Sequence, residues 1–148
     1  MSLRALVVCL GNICRSPIGE ELLRQHAHRA GLSLYVDSAG TSGWHQGEPP
    51  DSRSVQIMSL HGFDISKQKS RALNREDLQL FDFILVMDRQ NLKDVKSLGV
   101  GRAKVSLFIE NSDVPDPYYG GNNGFQLVYE MLDQAAAEWI NSWSNLHD

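Results

Sequence analysis

A chain of 148 residues, 42% apolar and 22% charged, can bury roughly 70% of its unfolded surface around one core, so it needs neither a disulfide framework nor a structural metal. Its 14 lysines and arginines against 18 acidic residues give a net charge of -4, which argues against a nucleic-acid binder, since such proteins carry a basic excess. The 2 cysteines, Cys9 and Cys14, both fall near the start and are too close in sequence to staple a loop of useful length.

Arg4 followed by the apolar run Ala5 to Leu10 has the outline of a secretory signal. The run is too short, however, and no small-residue cleavage site follows. No segment approaches the ~18 apolar residues of a membrane span. A cytoplasmic protein with reduced thiols is therefore expected. No internal repeat or long biased tract divides the chain, only the turn-like cluster around Gly120 and Gly124, so residues 1–148 are expected to form a single domain.

Ala5 to Leu10, centred on Val7 and Val8, reads as a strand buried on both faces. A helix is expected from Ser16, with serine as N-cap, Pro17 in the first helical position, and Ile18, Leu22, Leu23, Ala27 and Ala30 at helical spacing up to Gly31. Ser33 to Asp37 reads as a second strand. A Gly/Pro-rich loop from Gly40 to Pro50 follows, and Val55, Ile57, Met58 and Leu60 mark a helix ended by Gly62. Phe81 to Met87 and Ala103 to Ile109 read as strands, with Leu92 to Leu98 as the helix between them. Phe125, Val128, Leu132, Ala135, Trp139 and Trp143 step by three and four residues along one helix face, which makes both tryptophans core residues. Alternating strands and helices predict an α/β fold, a four-stranded parallel sheet with helices on both faces. Ligands in such sheets bind beyond the carboxyl ends of the strands.

That rule points to the loop between the first strand and the first helix, Cys9-Leu10-Gly11-Asn12-Ile13-Cys14-Arg15-Ser16-Pro17. The Cys-x5-Arg spacing alone is weak, and its context carries the argument. A helix N-terminus offers unpaired N–H groups and partial positive charge to a phosphate-like anion. Gly11 and Asn12 both tolerate positive φ, so the loop can curl with its amides pointing inward. Arg15 adds a full charge and a planar fork suited to two phosphate oxygens. The same field favours a thiolate at Cys9, and a thiolate beneath a bound phosphate is a nucleophile aimed at phosphorus.

These residues resemble the low-molecular-weight protein tyrosine phosphatases. The resemblance runs through Val8 to Pro17, Asp37-Ser38-Ala39-Gly40-Thr41-Ser42-Gly43-Trp44-His45, His61-Gly62, Met87-Asp88 and Asp116-Pro117-Tyr118-Tyr119-Gly120, in the family's order and over nearly the whole chain. It implies a protein-tyrosine phosphatase in which Cys9 attacks phosphorus to form a phosphocysteine. The amides of Leu10, Gly11, Asn12, Ile13 and Cys14, with Arg15, would hold the phosphate oxygens. By the same resemblance Asp116 serves as general acid and then general base, with Asp113 as the fallback. Ser16 stabilises the thiolate, and Asn12 and Ser38 hold the loop in shape. Trp44, Tyr118 and Tyr119 line the entrance. The family often has a histidine in the loop-supporting network where this chain has Gln68. Cys14 could trap an oxidised Cys9 as a disulfide or simply pack.

The implied substrate is a tyrosine-phosphorylated protein, a tyrosine kinase among the candidates, with no nucleic acid or membrane partner, no cofactor and no metal. Thioredoxin-coupled arsenate reductases look similar in the first loop but use a further pair of cysteines downstream, and no cysteine follows Cys14. No G-x-G-x-x-G or Walker pattern supports a nucleotide fold. Two thiols with His26 and His28 on opposite sides of a helix do not make a zinc module. A non-catalytic phosphate-binding or redox-sensing module would keep the loop without turnover, but the presence of both Cys9 and Asp116 counts against it.

Overall fold

The computed structural model describes residues 2–118, 120 and 123–146. In chain order the elements are β1 (Leu3–Cys9), α1 (Arg15–Ala30), β2 (Leu34–Gly40), α2 (Ser52–Leu60), α3 (Asp77–Leu80), β3 (Phe83–Val86), α4 (Arg89–Ser97), β4 (Lys104–Leu107) and α5 (Asn123–Leu146). The strands pair in the order β2-β1-β3-β4, every pairing parallel. Among the described residues no helix is long and apolar enough to cross a membrane.

The central position of β1 explains its composition. Leu3 to Cys9 pair residue for residue with Leu34 to Gly40, and Ala5 to Val8 pair with Phe83 to Val86 on the other edge. Side chains alternate between the two faces of a strand. Ala5, Val7 and Cys9 join a core with Ile18 and Leu22 of α1 and Leu132, Ala136 and Trp143 of α5. Leu6 and Val8 join a second core with Leu78 of α3, Phe81 just after it, Ile84 and Val86 of β3, and Val95 of α4. Both faces are covered, as the unbroken apolar run predicts. The chain leaves β1 for β2 on one side and later returns for β3 on the other, so the order reverses at β1. The crevice beyond Cys9 is the switch point where ligands bind in such sheets.

Two local expectations are corrected, and one short helix appears that the sequence did not announce. α1 begins at Arg15, so Ser16 lies inside the first turn rather than at the N-cap. Cys14 takes the N-cap position and makes no side-chain capping bond. The serine hydroxyl is drawn instead to Cys9, a tertiary partner that local capping rules do not see. β2 runs on to Gly40 rather than stopping at Asp37, because β1 offers it pairing groups as far as Cys9. The short helix α3 shows no sequence period, and only its position between Arg71 and β3 reveals it.

The expected helix end at Gly31 holds, with φ 70 at that residue. Of the two residues expected to favour positive φ in the loop, only Asn12 adopts it, at 59. Trp143 is buried, while Trp139 is half-buried and donates its indole N–H to the Phe108 carbonyl at 2.7 Å.

Candidate active site

The loop after β1 is held by its carbonyls. Thr41 N–H donates to the Cys9 carbonyl at 2.9 Å, Ser42 N–H to Leu10 at 2.9 Å, and Asp51 N–H to Ile13 at 2.8 Å. The Ser70 hydroxyl donates to the Gly11 carbonyl at 3.0 Å and the Ser54 hydroxyl to the Cys14 carbonyl at 3.2 Å. In a trans peptide the N–H lies opposite the C=O. Carbonyls bonded to the surrounding segments therefore turn the amides of Leu10, Gly11, Asn12, Cys14 and Arg15 toward the loop interior. β2 comes so close to this loop that a Cβ at Gly40 would sit 2.8 Å from the Leu10 carbonyl oxygen, so only glycine fits there.

A directed chain of hydrogen bonds fixes the thiol. The Asn12 side-chain amide donates both its hydrogens, to Ser16 Oγ and to Ser38 Oγ, each at 2.9 Å, and its oxygen accepts Arg71 N–H at 3.2 Å. Every polar group of that side chain is used, which offsets the strain of its positive φ. The Ser38 hydroxyl in turn donates to Glu20 Oε1 at 2.6 Å. Ser16 Oγ, already accepting from Asn12, lies 3.1 Å from Cys9 Sγ, with its hydroxyl proton left to donate to the sulfur. Burial pushes the Glu20 carboxyl up, against the pull of its bonds from Ser38 and Arg24.

Arg15 is 2% exposed and carries two bonds on one nitrogen, Nη1 donating to Asp88 Oδ2 at 2.7 Å and to the Val114 carbonyl at 2.9 Å. Its Nη2 lies 3.6 Å from Asp116 Oδ2, and its buried Nε has no partner among the described residues. Burial works against the guanidinium charge, but Cys9, Asp88 and Asp116 outweigh it and hold the group protonated. The Nε and Nη2 edge is thus the one with donors to spare, in a pocket lined by Cys9, Leu10, Gly11, Ile13, Cys14, Arg15, Trp44, His45, Asp116 and Tyr118. A buried fork with unused donors inside a ring of amides suits a tetrahedral oxyanion.

The fold therefore brings Cys9, Arg15, Asp116, Trp44 and Tyr118 to one pocket, with Asn12, Ser16 and Ser38 behind the thiol. Trp44 is 75% exposed at the rim. Tyr119 lies outside the described residues. Asp113 is taken by Arg89, which donates to it from its backbone at 3.1 Å and its side chain at 3.0 Å, and it does not line the pocket. Gln68 stays out of the network behind the thiol. Its amide donates to the Pro17 carbonyl at 3.2 Å, and Glu20 with the Arg71 N–H hold Ser38 and Asn12 instead. Cys9 and Cys14 are both free thiols, and burial, followed by the charge of Asp51, pushes Cys14 well up. Among the described residues no group of His, Cys, Asp and Glu could hold a metal ion.

Several site residues escape sequence reasoning. Asp88 stands in the Met87-Asp88 pair, yet nothing local ties it to Arg15. Glu20 is four residues after Ser16 on one helix face, and a carboxylate beside apolar Ile18 and Leu22 is the signal it offered. His45 follows Trp44 and presses so near the loop after β1 that a Cβ on Gly11 would meet its ring at 3.0 Å.

At the switch point of the parallel sheet one pocket gathers a cysteine, an arginine fork and a carboxylate, a set of groups that suits a phosphate-like anion. The sequence model of the family described as low molecular weight phosphotyrosine protein phosphatase matches residues 4–147. The chain belongs to that family and is a protein-tyrosine phosphatase of low molecular weight.

It is 39% identical to the low molecular weight phosphotyrosine protein phosphatase of Schizosaccharomyces pombe, over 95% of this chain and 97% of that protein. It is 42% identical to the protein of the same description from Homo sapiens, over 85% of this chain and 86% of that one. The crystal structure of YfkJ from Bacillus subtilis superposes with a TM-score of 0.89 at 33% identity, covering 100% of this chain and 98% of that one.

Proposed function

We propose that the pocket hydrolyses phosphotyrosine esters through a phosphocysteine intermediate. The observation that carries this reading is the placement of Cys9 and Asp116 in one pocket with the Nε and Nη2 edge of Arg15, whose Nε has no partner among the described residues and whose Nη2 faces Asp116. Cys9 Sγ attacks phosphorus, the S–P bond forms and the P–O bond to the phenol breaks. Asp116, in its acid form, gives its proton to the departing oxygen. Its carboxylate then takes a proton from a water that attacks phosphorus. The S–P bond breaks, and inorganic phosphate and the Cys9 thiolate are released. Loop amides and Arg15 face the equatorial oxygens throughout, and such preorganised donors are usually the largest catalytic term. The Ser16 hydroxyl stabilises the thiolate as nucleophile in the first step and as leaving group in the second.

The substrate is a tyrosine-phosphorylated protein, with Trp44 and Tyr118 flanking its ring and a tyrosine kinase among the candidates. Two free thiols and an acidic net charge fit a cytoplasmic setting. Purified protein should hydrolyse an aryl phosphate without added metal across about pH 5 to 8, with inhibition by vanadate. Cys9→Ser should abolish turnover and retain phosphorylated partners from a lysate. Absence of turnover over that range would leave only a phosphate-binding module.

A further inference from the structure

We propose that Arg53 is a positioning residue for the acid step, a strap that ties the Asp116 loop to the phosphate loop. The proposal rests on the reading of Asp116 as general acid.

Arg53 is the second residue of α2 and folds back on the helix N-cap. Its Nε and Nη2 reach the two oxygens of Asp51, each at 3.0 Å, while its backbone N–H donates to Asp51 Oδ1 at 2.8 Å. A bidentate guanidinium and carboxylate pair holds a long side chain in one orientation. From there Nη2 also donates to the Tyr118 carbonyl at 3.0 Å. The guanidinium carbon stands 4.6 Å from the ring centroid of Phe125 in α5 and 5.6 Å from that of Tyr118, so it packs on both rings.

The Tyr118 backbone is what couples Arg53 to the acid. Its N–H donates to Asp116 Oδ1 at 3.0 Å, and the other carboxylate oxygen faces Arg15 at 3.6 Å. Arg53 grips the carbonyl of the same residue. Pro115 and Pro117 flank Asp116 and have no N–H to donate, so the Tyr118 N–H is the next backbone donor after the acid. At the opposite end Asp51 N–H donates to the Ile13 carbonyl at 2.8 Å. A continuous path thus runs from Ile13 in the phosphate loop through Asp51, Arg53 and Tyr118 to Asp116. The fork of Arg53 is already closed on Asp51, which leaves it suited to bracing the loop rather than to gripping the phosphate.

The test uses the full chain and a series of aryl phosphates whose phenols range from acidic to weakly acidic. An acid matters most when the leaving phenolate is poor. Arg53→Ala should therefore lower kcat/KM for phenyl phosphate about tenfold, with little change for an acidic nitrophenol ester and unchanged inhibition by vanadate. Asp116→Asn should steepen the same dependence by about 100-fold or more. Arg53→Lys should restore part of the loss, because it keeps a donor for the Tyr118 carbonyl but cannot fork onto Asp51. Adding Arg53→Ala to Asp116→Asn should cost nothing further.

An equal loss on every ester, weakened vanadate inhibition, or additive losses in the double variant would overturn the strap. A flat Asp116→Asn series would remove Asp116 as the acid and the role of Arg53 with it. A steep Asp116→Asn series beside a flat Arg53→Ala series would remove the strap alone.

Discussion

One carboxylate of Asp88 serves two elements: Oδ2 holds Arg15 Nη1 at 2.7 Å, and Oδ1 caps α4 by accepting Asn91 N–H at 2.8 Å. The bond to Arg15 crosses from the start of α4 to the start of α1 and sets which edge of the guanidinium turns to the pocket. Asp51 is built the same way, capping α2 while gripping Arg53. In both cases a helix start fixes the carboxylate, and the carboxylate fixes an arginine.

Asp88→Ala should separate these two duties. Loss of the cap should destabilise the fold by about 1 kcal/mol, measured by thermal denaturation. Loss of the Arg15 anchor should lower kcat and weaken vanadate inhibition together. Asp88→Asn keeps an oxygen for the cap, so its stability should stay near that of the parent while its activity falls. An Asp88→Asn protein with undiminished turnover would leave Asp88 a capping residue only.

Glu20 supplies a pH signature in stability. Its carboxyl is raised above the ordinary 4.5, first by burial. A raised folded value means that the folded state binds the proton more tightly than the unfolded one. The stability from that proton is full below 4.5 and is lost as pH rises through the folded value. Glu20→Gln cannot titrate but keeps an acceptor for Ser38. Its melting temperature relative to the parent should therefore climb as pH is raised from below 4.5 toward neutrality. A difference that stays flat or falls would reject the burial effect.

Oxidation should reveal the protonated state of Cys14. Peroxide converts a Cys9 thiolate to a sulfenic acid, and sulfur of Cys14 attacking it forms a disulfide with loss of water. Thiolate is the effective attacker, and burial with the Asp51 charge keeps Cys14 protonated. The yield of disulfide relative to sulfinic acid at Cys9, read by mass spectrometry, should therefore rise with pH. Sulfinic acid with no internal disulfide at any pH would remove Cys14 from a protective role.

The order and type of the main elements are legible in the sequence, because a central strand must be apolar on both faces and a covering helix along one stripe. Ala5 to Val8 and the stepped apolar positions of α5 carry that information locally. Cys9, Arg15 and the turn-forming character of Asn12 are equally local, since a strand end, a helix start and a loop between them are read from adjacent residues. Element ends are less so, as Ser16 shows, because its hydroxyl had a better partner in Cys9 than in a helix amide.

The supporting bonds were decided by the tertiary structure alone. Arg15 meets Asp88 across 73 residues of chain, Arg53 meets Tyr118 across 65, and Ser38 meets Glu20 across 18. No periodicity or capping rule connects such pairs. They form because the parallel sheet delivers the ends of β1, β2 and β3 to one edge. Arg15, Ser38 and Glu20 are buried there, and leaving a buried charge or hydroxyl unpaired costs more than a local preference would return.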